Sequence, residues 1–215
     1  MWCIGEMTPE YVERMHNLLD LYAEPYNPKK PMVCLDEKSK QLLGHTKEPL
    51  RGKIVREDYH YRRNGTRNIF LAVEPKGGKR YTEVTKRRTK QDFARFVRRL
   101  VDEFYPEAET IRLVMDNLNT HNKSSFYETF SKKEAERVLK KLEFHYTPKH
   151  ASWLNMAEIE IGVMDRQCLN RRIPDEAALK RQVAVWQGLR NYKKAKIKWT
   201  FTKEKADEKM SKYYI

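Results

Sequence analysis

The chain of 215 residues, 40% of them apolar, is long enough for one main domain with small appendages. With 44 Lys and Arg against 30 Asp and Glu, its net charge of +14 favours a polyanionic partner, most simply a nucleic acid, although an ordinary basic soluble protein would carry the same charge. Its three isolated cysteines do not support a disulfide scaffold. No apolar run approaches ~20 residues, so we do not expect a membrane-spanning protein. The first residues lack a signal-peptide pattern, so we do not expect a secreted protein.

The first stretch predicts one helix and a stiff linker. Thr8 supplies a capping hydroxyl, Pro9 opens the first turn, and apolar residues then recur at helical spacing as far as about Glu24. Several prolines follow between positions 25 and 31, and prolines stiffen a linker. Residues 1–31 are therefore interpreted as an N-terminal helix with a proline-rich linker.

The next part predicts a short buried strand followed by an antiparallel meander. The first apolar run ends at Asp36, and residues 41–56 have no clear period, which is typical of a loop. Asn64 and Gly65 form a strong two-residue hairpin signal between runs of alternating residues. The strands of this part are expected at residues 32–35, 58–63, 68–73 and 80–85.

The second half of the chain alternates helices and strands. Thr89 caps a helix whose wide apolar stripe faces a sheet and whose other face is basic. An apolar strand at residues 111–115 ends abruptly at Asp116. Trp153 is expected in the core rather than as a platform for stacking bases. The remaining elements are expected as an amphipathic region at 124–141, a strand at 142–147, a helix from 153 to about 169 capped by Ser152, and a helix from Pro174.

This order of elements predicts an α/β fold. Three antiparallel strands followed by alternating helices and strands give a ribonuclease H-like mixed five-stranded sheet with helices on both faces, preceded by the N-terminal helix. We expect the main domain at residues 32–192 and a basic C-terminal tail at residues 193–215.

Two acids would meet at one edge of this sheet. The first and fourth strands lie side by side at its centre, so Asp36 and Asp116 come together there. A third acid has to come from the helix after the last strand. Glu158 and Glu160 both lie on that helix and point about 200° apart, so only one of them can face the pair. Periodicity does not choose between them.

Three converging carboxylates repel one another, so such a cluster persists where cations bind it. Oxygen ligands suit Mg²⁺ or Mn²⁺, and two such ions about 3.5–4 Å apart serve phosphodiester chemistry. Together with the basic charge, the cluster indicates phosphoryl transfer on DNA or RNA. The candidate nucleic-acid contacts are basic residues on the Thr89 helix and in the tail: Arg95, Arg98, Arg99, Lys193, Lys194, Lys196 and Lys198.

Each of these residues also has a plainer interpretation. An Asp at the end of a strand is often a turn residue. His121 can be a loop histidine that is hydrogen-bonded to the backbone, and a basic helix face can simply be solvated. The combination of two acid-terminated strands with an acid-bearing helix favours the site over these alternatives.

Three sequence blocks, taken in order, resemble a known family. They are CLDEKS at residues 34–39, RLVMDNLNTH at residues 112–121 and FHYTPKHASWLNMAE at residues 144–158. These blocks resemble the signature motifs of DDE transposases in the mariner-like superfamily, and most of all those of the bacterial insertion sequence 630 family. RRNGT at residues 62–66 and RQCLNRRIP at residues 166–174 extend the likeness.

The resemblance implies a specific set of site residues. In that superfamily the last acid follows an Asn with two residues between them, which fits Asn155 and Glu158 and does not fit Glu160. The implied catalytic and metal-binding set is therefore Asp36, Asp116 and Glu158, with two Mg²⁺ or Mn²⁺ ions per active site. The residues left in supporting roles are Asn117, His121 and Asn155.

The resemblance also implies the reaction and its setting. The expected activity is cleavage of double-stranded DNA at element ends and attack of the freed 3′-hydroxyl on target DNA, by a homodimer in the bacterial cytoplasm at the nucleoid. Residues 41–59 are a candidate dimer interface. We expect the family's helix-turn-helix region to be absent from this chain, because one helix and a linker precede residue 32. The alternatives are a structure-selective ribonuclease H-like nuclease or resolvase, and a non-catalytic DNA-binding remnant.

Overall fold

The chain folds around a central sheet with helices on both faces, and the computed structural model describes residues 7–47 and 58–214. The strands are β1 (Met32–His45), β2 (Tyr61–Glu74), β3 (Lys79–Thr85), β4 (Ile111–Met115) and β5 (Leu142–Tyr146). The helices are α1 (Pro9–Ala23), α2 (Lys90–Arg99), α3 (Ser124–Tyr127), α4 (Lys132–Leu139), α5 (Met156–Met164), α6 (Glu176–Tyr192) and α7 (Lys203–Met210). Single π-helical turns, Leu100–Phe104 and Asp165–Leu169, extend α2 and α5.

The sheet has the strand order β3-β2-β1-β4-β5. The strands β1, β2 and β3 form an antiparallel meander, whereas β4 is parallel to β1 and β5 is parallel to β4. This arrangement confirms the predicted ribonuclease H-like fold, including the five strands and the N-terminal helix. It also makes β1 and β4 neighbours at the centre of the sheet.

The first strand is longer than predicted. It does not end before Asp36 but continues to His45, because its backbone stays paired with β2 from Asp36 opposite Leu71 to His45 opposite Tyr61. The prediction of a loop over residues 41–56 is therefore wrong for residues 41–45. Backbone pairing overrides the missing hydrophobic period there. Residues 48–57 lie outside the described part of the chain.

The predicted hairpin at Asn64-Gly65 is also wrong, because β2 runs straight through it. The register of β1 against β2 shifts at this point, with one residue between Gln41 and Leu43 facing two residues on β2. Gly65 has a φ of 92°, a conformation that glycine adopts at little cost. The Asn-Gly pair therefore forms a β-bulge, which uses the same positive φ as a tight turn.

Two apolar clusters cover the two faces of the sheet. One contains side chains of α2, α3, α4 and the adjoining strand faces. The other contains side chains of α1, α5, α6 and α7. Segments on both sides of the predicted main domain reach this second cluster, among them Leu18 before residue 32 and Trp199 after residue 192. The division of the chain at residues 31 and 192 stays a prediction.

Helix α5 begins later than predicted. The expected cap, Ser152, lies in a 3-10 turn, Ser152–Leu154, and the cap of α5 is Asn155. Trp153, which was expected in the core, is 41% exposed, because this turn carries it to the surface where its ring meets that of Phe201 edge-on.

Candidate functional site

Asp36 and Asp116 lie at the same level on the two central strands. The parallel register pairs Cys34 with Val114, a constant offset of 80 (114 − 34 = 80), and Asp36 and Asp116 continue that offset (116 − 36 = 80). Neighbouring strands lie about 4.8 Å apart, so the two backbones are close where these acids project. The parallel pairing of β1 with β4 therefore brings together two acids that are far apart in sequence.

Strand alternation sends Asp36 and its neighbour Glu37 to opposite faces of the sheet. Asp36 follows Cys34 towards the cluster that contains α5, and Glu37 follows Leu35 towards the cluster that contains α2. Asp36 accepts a 2.7 Å hydrogen bond from the backbone N–H of Glu37.

Burial raises the pKa of Asp36 to about 7, against the lowering effect of the hydrogen bond from Glu37 N–H. The negative charges of Glu158, Glu37 and Asp116 raise this pKa further. Asp36 is therefore electrostatically coupled to both other acids of the predicted site. A cation beside it would favour its ionised form.

Asn155 fixes the beginning of α5 against β1. Its side-chain oxygen accepts a hydrogen bond from Ala157 N–H at 3.1 Å, and its Nδ2 donates to the carbonyl oxygen of Leu35 at 2.9 Å. Asn155 is fully buried, and one turn later α5 exposes Glu158. The residue before Asp36 and the first turn of α5 are thus tied by one side chain.

Glu160 has a different environment from Glu158. Its two carboxylate oxygens accept bidentate hydrogen bonds from Arg80, at 2.9 and 3.0 Å, and from Arg190, at 2.8 and 3.0 Å. The side chains of Arg80 and Glu160 are both 0% exposed. Although burial alone would raise the pKa of Glu160, these two guanidinium groups lower it. Both carboxylate oxygens of Glu160 therefore accept hydrogen bonds from arginines. Glu158, in contrast, is the acid of α5 whose charge acts on Asp36.

Asp116 contacts His121, to which the sequence assigned a supporting role without a stated task. His121 Nδ1 lies 2.7 Å from Asp116 Oδ1, and His121 Nε2 lies 2.7 Å from Glu37 Oε1. Burial alone would lower the pKa of His121, but its bonds to Asp116 and Glu37 raise it to about 10. Burial alone would raise the pKa of Asp116, yet the bond from His121 lowers it. The contact with two carboxylates therefore favours the cationic form of the imidazole.

Sequence reasoning missed Glu37 in this arrangement. The sequence feature that could have identified Glu37 is its position directly after Asp36 in a strand, because successive strand residues project from opposite faces of the sheet. Asn117, the other supporting residue, is exposed.

The three predicted acids share one edge without converging on one point. Within residues 7–47 and 58–214, no three acidic, histidine or cysteine side chains lie close enough together to ligate one ion as they stand. The couplings of Asp36 show that Glu158 and Asp116 are its electrostatic neighbours.

The basic residues predicted to contact nucleic acid differ in their exposure and in their contacts within the protein. On α2, Arg95 is exposed, whereas Arg98 lies over the ring of Phe130 and Arg99 pairs with Glu83 and Glu103. After α6, the lysines of the tail are exposed: Lys193, Lys194, Lys196 and Lys198. The last two alternate with Ile197 and Trp199, which pack on the core.

No helix in the described part of the chain is long and apolar enough to cross a membrane.

The chain matches one protein family and resembles several solved structures. A family described as DDE superfamily endonuclease matches residues 31–180. Curated proteins gave no match. Among solved structures, the chain is similar to a pre-cleavage Mos1 transpososome (TM-score 0.60, 13% identity) and to a Mos1 mariner paired-end complex with Mn (TM-score 0.58, 14% identity).

These structural neighbours are longer than this chain. The alignment with the pre-cleavage transpososome covers 99% of this chain and 67% of that chain, and the alignment with the Mn complex covers 99% and 64%. A Mos1 transposase paired-end complex with the left transposon end aligns over 87% of this chain and 57% of that chain (TM-score 0.58, 14% identity). At these identities the likeness shows the fold.

Glu160→Gln should lower the free energy of unfolding by about 3 kcal/mol, because it leaves buried Arg80 without a counter-charge. Chemical denaturation monitored by circular dichroism measures the change. The matched control is Glu176→Gln, which also loses two cationic partners, Arg67 and Lys180, but is partly exposed and should lose about 1 kcal/mol or less. Equal losses for the two variants would contradict the buried ion-pair account.

Asn155→Ala should lower the free energy of unfolding by about 2 kcal/mol, because it removes a helix cap and leaves the Leu35 carbonyl without its partner. The control is Ser131→Ala, which removes the exposed cap of α4 and should lose about 1 kcal/mol. A loss no greater than that of the control would show that the tie to β1 contributes nothing.

Proposed function

Because the chain belongs to the DDE superfamily endonucleases, we propose that it is the catalytic domain of a transposase that cleaves DNA and transfers the cut strand. The observation that carries the proposal is the coupling of Asp36 to both Asp116 and Glu158 at the edge where β1 and β4 lie side by side. Neighbouring ionised carboxylates repel one another, and bound cations would offset that repulsion.

We propose Asp36, Asp116 and Glu158 as the metal ligands and catalytic residues. The donor set fits Mg²⁺ or Mn²⁺, because it offers carboxylate oxygens on a half-buried edge. When bound, two such ions would stabilise the attacking and the leaving oxygens of a phosphodiester. The solved Mos1 structures support this choice of ions, since one is described with Mn and another with Mg.

The chain's own residues have separate tasks in this proposal. Asp36 and Asp116 hold the ions from the sheet, Glu158 holds them from α5, and Asn155 keeps α5 in register with β1. His121 supplies a fixed positive charge behind Asp116. The contacts of Glu160 with Arg80 and Arg190 support leaving it out of the proposed ligand set.

DNA is the proposed substrate. One solved neighbour is described as a Mos1 transposase paired-end complex with the left transposon end, and the net charge of +14 supports contact with phosphates. Of the predicted contact residues, the exposed tail lysines and Arg95 are the best placed, whereas Arg98 and Arg99 have contacts within the protein. Asn117 is proposed as an exposed supporting residue beside Asp116.

The finer features of the family stay proposals. The three sequence blocks support membership of the bacterial insertion sequence 630 branch, and hence action in the bacterial cytoplasm at the nucleoid. A homodimer on DNA is proposed by the same resemblance, with an interface at residues 41–59. Of that segment, residues 41–45 form the end of β1 and residues 48–57 lie outside the described range.

Asp116→Asn and Glu158→Gln should each abolish Mn²⁺-dependent nicking of an oligonucleotide duplex while salt-sensitive DNA binding survives. Outer-shell changes at metal sites cost 10–100-fold, so loss of a ligand should cost at least about 100-fold. Gel assays measure nicking, and fluorescence anisotropy measures binding at several salt concentrations.

The matched controls are Asp102→Asn and Glu136→Gln, two exposed acids, the first in the π-helical turn that follows α2 and the second on α4. Both should nick like the parent chain. Loss of nicking together with DNA binding would assign Asp116 or Glu158 a structural role. Nicking without any strand-transfer product would favour a nuclease or resolvase, and binding without nicking by the parent chain would favour a DNA-binding remnant.

A further inference from the structure

Glu37 is a buried carboxylate to which the proposed catalytic set assigns no task. Its side chain is 3% exposed, and its Oε1 lies 2.7 Å from His121 Nε2. It follows Asp36 in β1, but strand alternation turns it to the opposite face of the sheet, towards α2. A buried acid is costly unless it is paired, so its contact with His121 is what allows it to remain there.

His121 is fixed on all sides. Its side chain is 0% exposed, and its ring lies against that of Phe93 with the centroids 4.8 Å apart. Its backbone N–H donates to the Leu118 carbonyl at 2.8 Å, and its own carbonyl accepts from the Tyr146 hydroxyl at 2.8 Å. Backbone and ring plane are therefore held independently of Glu37.

One freedom remains in such a histidine, the rotation of the ring that exchanges its two edges. Glu37 removes this freedom, because Nε2 can donate to Glu37 only when Nδ1 points towards Asp116, 2.7 Å away. A ring turned over would leave both carboxylates without their donors in a buried place, which is costly. Glu37 thus sets the direction in which His121 donates.

We propose that Glu37 is a positioning residue that acts through His121 to hold the Asp116 carboxylate in the orientation that binds the divalent ion. This inference rests on the proposed function, because it takes Asp116 as a metal ligand. The chain Glu37, His121 and Asp116 is then an outer shell behind one ligand. Residues of that kind fix the orientation of a ligand and typically change metal affinity 10–100-fold.

Two substitutions of Glu37 distinguish the effect of its hydrogen bond to His121 from the effect of its negative charge. Glu37→Gln keeps the length and the acceptor oxygen but removes the charge, whereas Glu37→Asp keeps the charge but is one methylene too short to reach Nε2. The inference predicts that Glu37→Asp raises the dissociation constant of Mn²⁺ about 10-fold and that Glu37→Gln changes it less than about 3-fold. Electron paramagnetic resonance of free Mn²⁺, titrated into the 215-residue chain, measures both constants.

A matched control comes from a second Glu–His pair. Glu143 Oε1 lies 2.8 Å from His145 Nε2 on β5, and Glu143 is 54% exposed. Glu143→Asp makes the same change at a pair away from the acids and should leave Mn²⁺ binding unchanged. Thermal denaturation of every variant shows which of them are folded.

A double-mutant cycle tests whether Glu37 acts through His121. His121→Asn keeps a donor that can reach Asp116 but loses the contact with Glu37. If the inference holds, Glu37→Asp has no further effect on Mn²⁺ affinity in the His121→Asn background. Independent effects that multiply, or a Glu37→Asp protein that is folded and binds Mn²⁺ like the parent, would overturn it. An impaired Glu37→Gln with a normal Glu37→Asp would do the same, since charge and not contact would then be responsible.

Failure of the inference is distinguishable from failure of the proposed function. If the parent chain binds Mn²⁺ with loss of binding in Asp116→Asn but does not nick DNA, the proposed reaction fails while the Glu37 variants still decide the inference. If the parent chain binds no Mn²⁺, both fail. If a Glu37→Asp protein does not fold, Glu37→Gln still tests the inference, because a dissociation constant raised as far as that of His121→Asn would overturn it.

Discussion

The parallel pairing of β1 with β4, which brings the carboxylates of Asp36 and Asp116 to one edge of the sheet, is the constraint on which the candidate site depends. Asp36 and Asp116 continue the parallel register of the two central strands, and Glu158 approaches from α5. Burial raises the pKa of Asp36 to about 7, and the negative charges of Glu158, Glu37 and Asp116 raise it further. The fold brings these groups together against their electrostatic preference, and such an arrangement is typical of sites that bind cations.

The acids of this region differ in their cationic partners. Glu160 is neutralised by Arg80 and Arg190 and belongs to the core. Glu37 and Asp116 share the imidazole of His121. Asp36 and Glu158 have no such cationic partner among the contacts described, and only one carboxylate oxygen of Asp116, Oδ1, contacts His121, so all three acids keep oxygens that a bound ion could use.

Much of the fold was predictable because it rests on local signals. Helix caps such as Thr89, the buried run before Asp116 and the order of elements led to the five-stranded sheet and to the pairing of β1 with β4. The errors occurred where one signal serves two structures. Gly65 has the positive φ that a tight turn and a bulge both require, and only pairing with β1 selects the bulge.

The sequence points to the acids of the candidate site but not to their surroundings. Asp36 and Asp116 end apolar runs, which the sequence displays directly. The environment of Glu160 depends on arginines 80 and 30 positions away in sequence, and the contact of Glu37 with His121 spans 84 positions. Periodicity carries no information about such contacts, whereas the resemblance to DDE transposases favoured Glu158 through Asn155.

The central claim is that Asp36 and Asp116 bind a divalent ion between them. The most direct test is an anomalous-difference map from crystals of this chain soaked in saturating Mn²⁺. The account predicts a peak within ligand distance, about 2.2 Å, of a carboxylate oxygen of each of the two residues. A map in which the two carboxylates are ordered and no peak lies between them would contradict it.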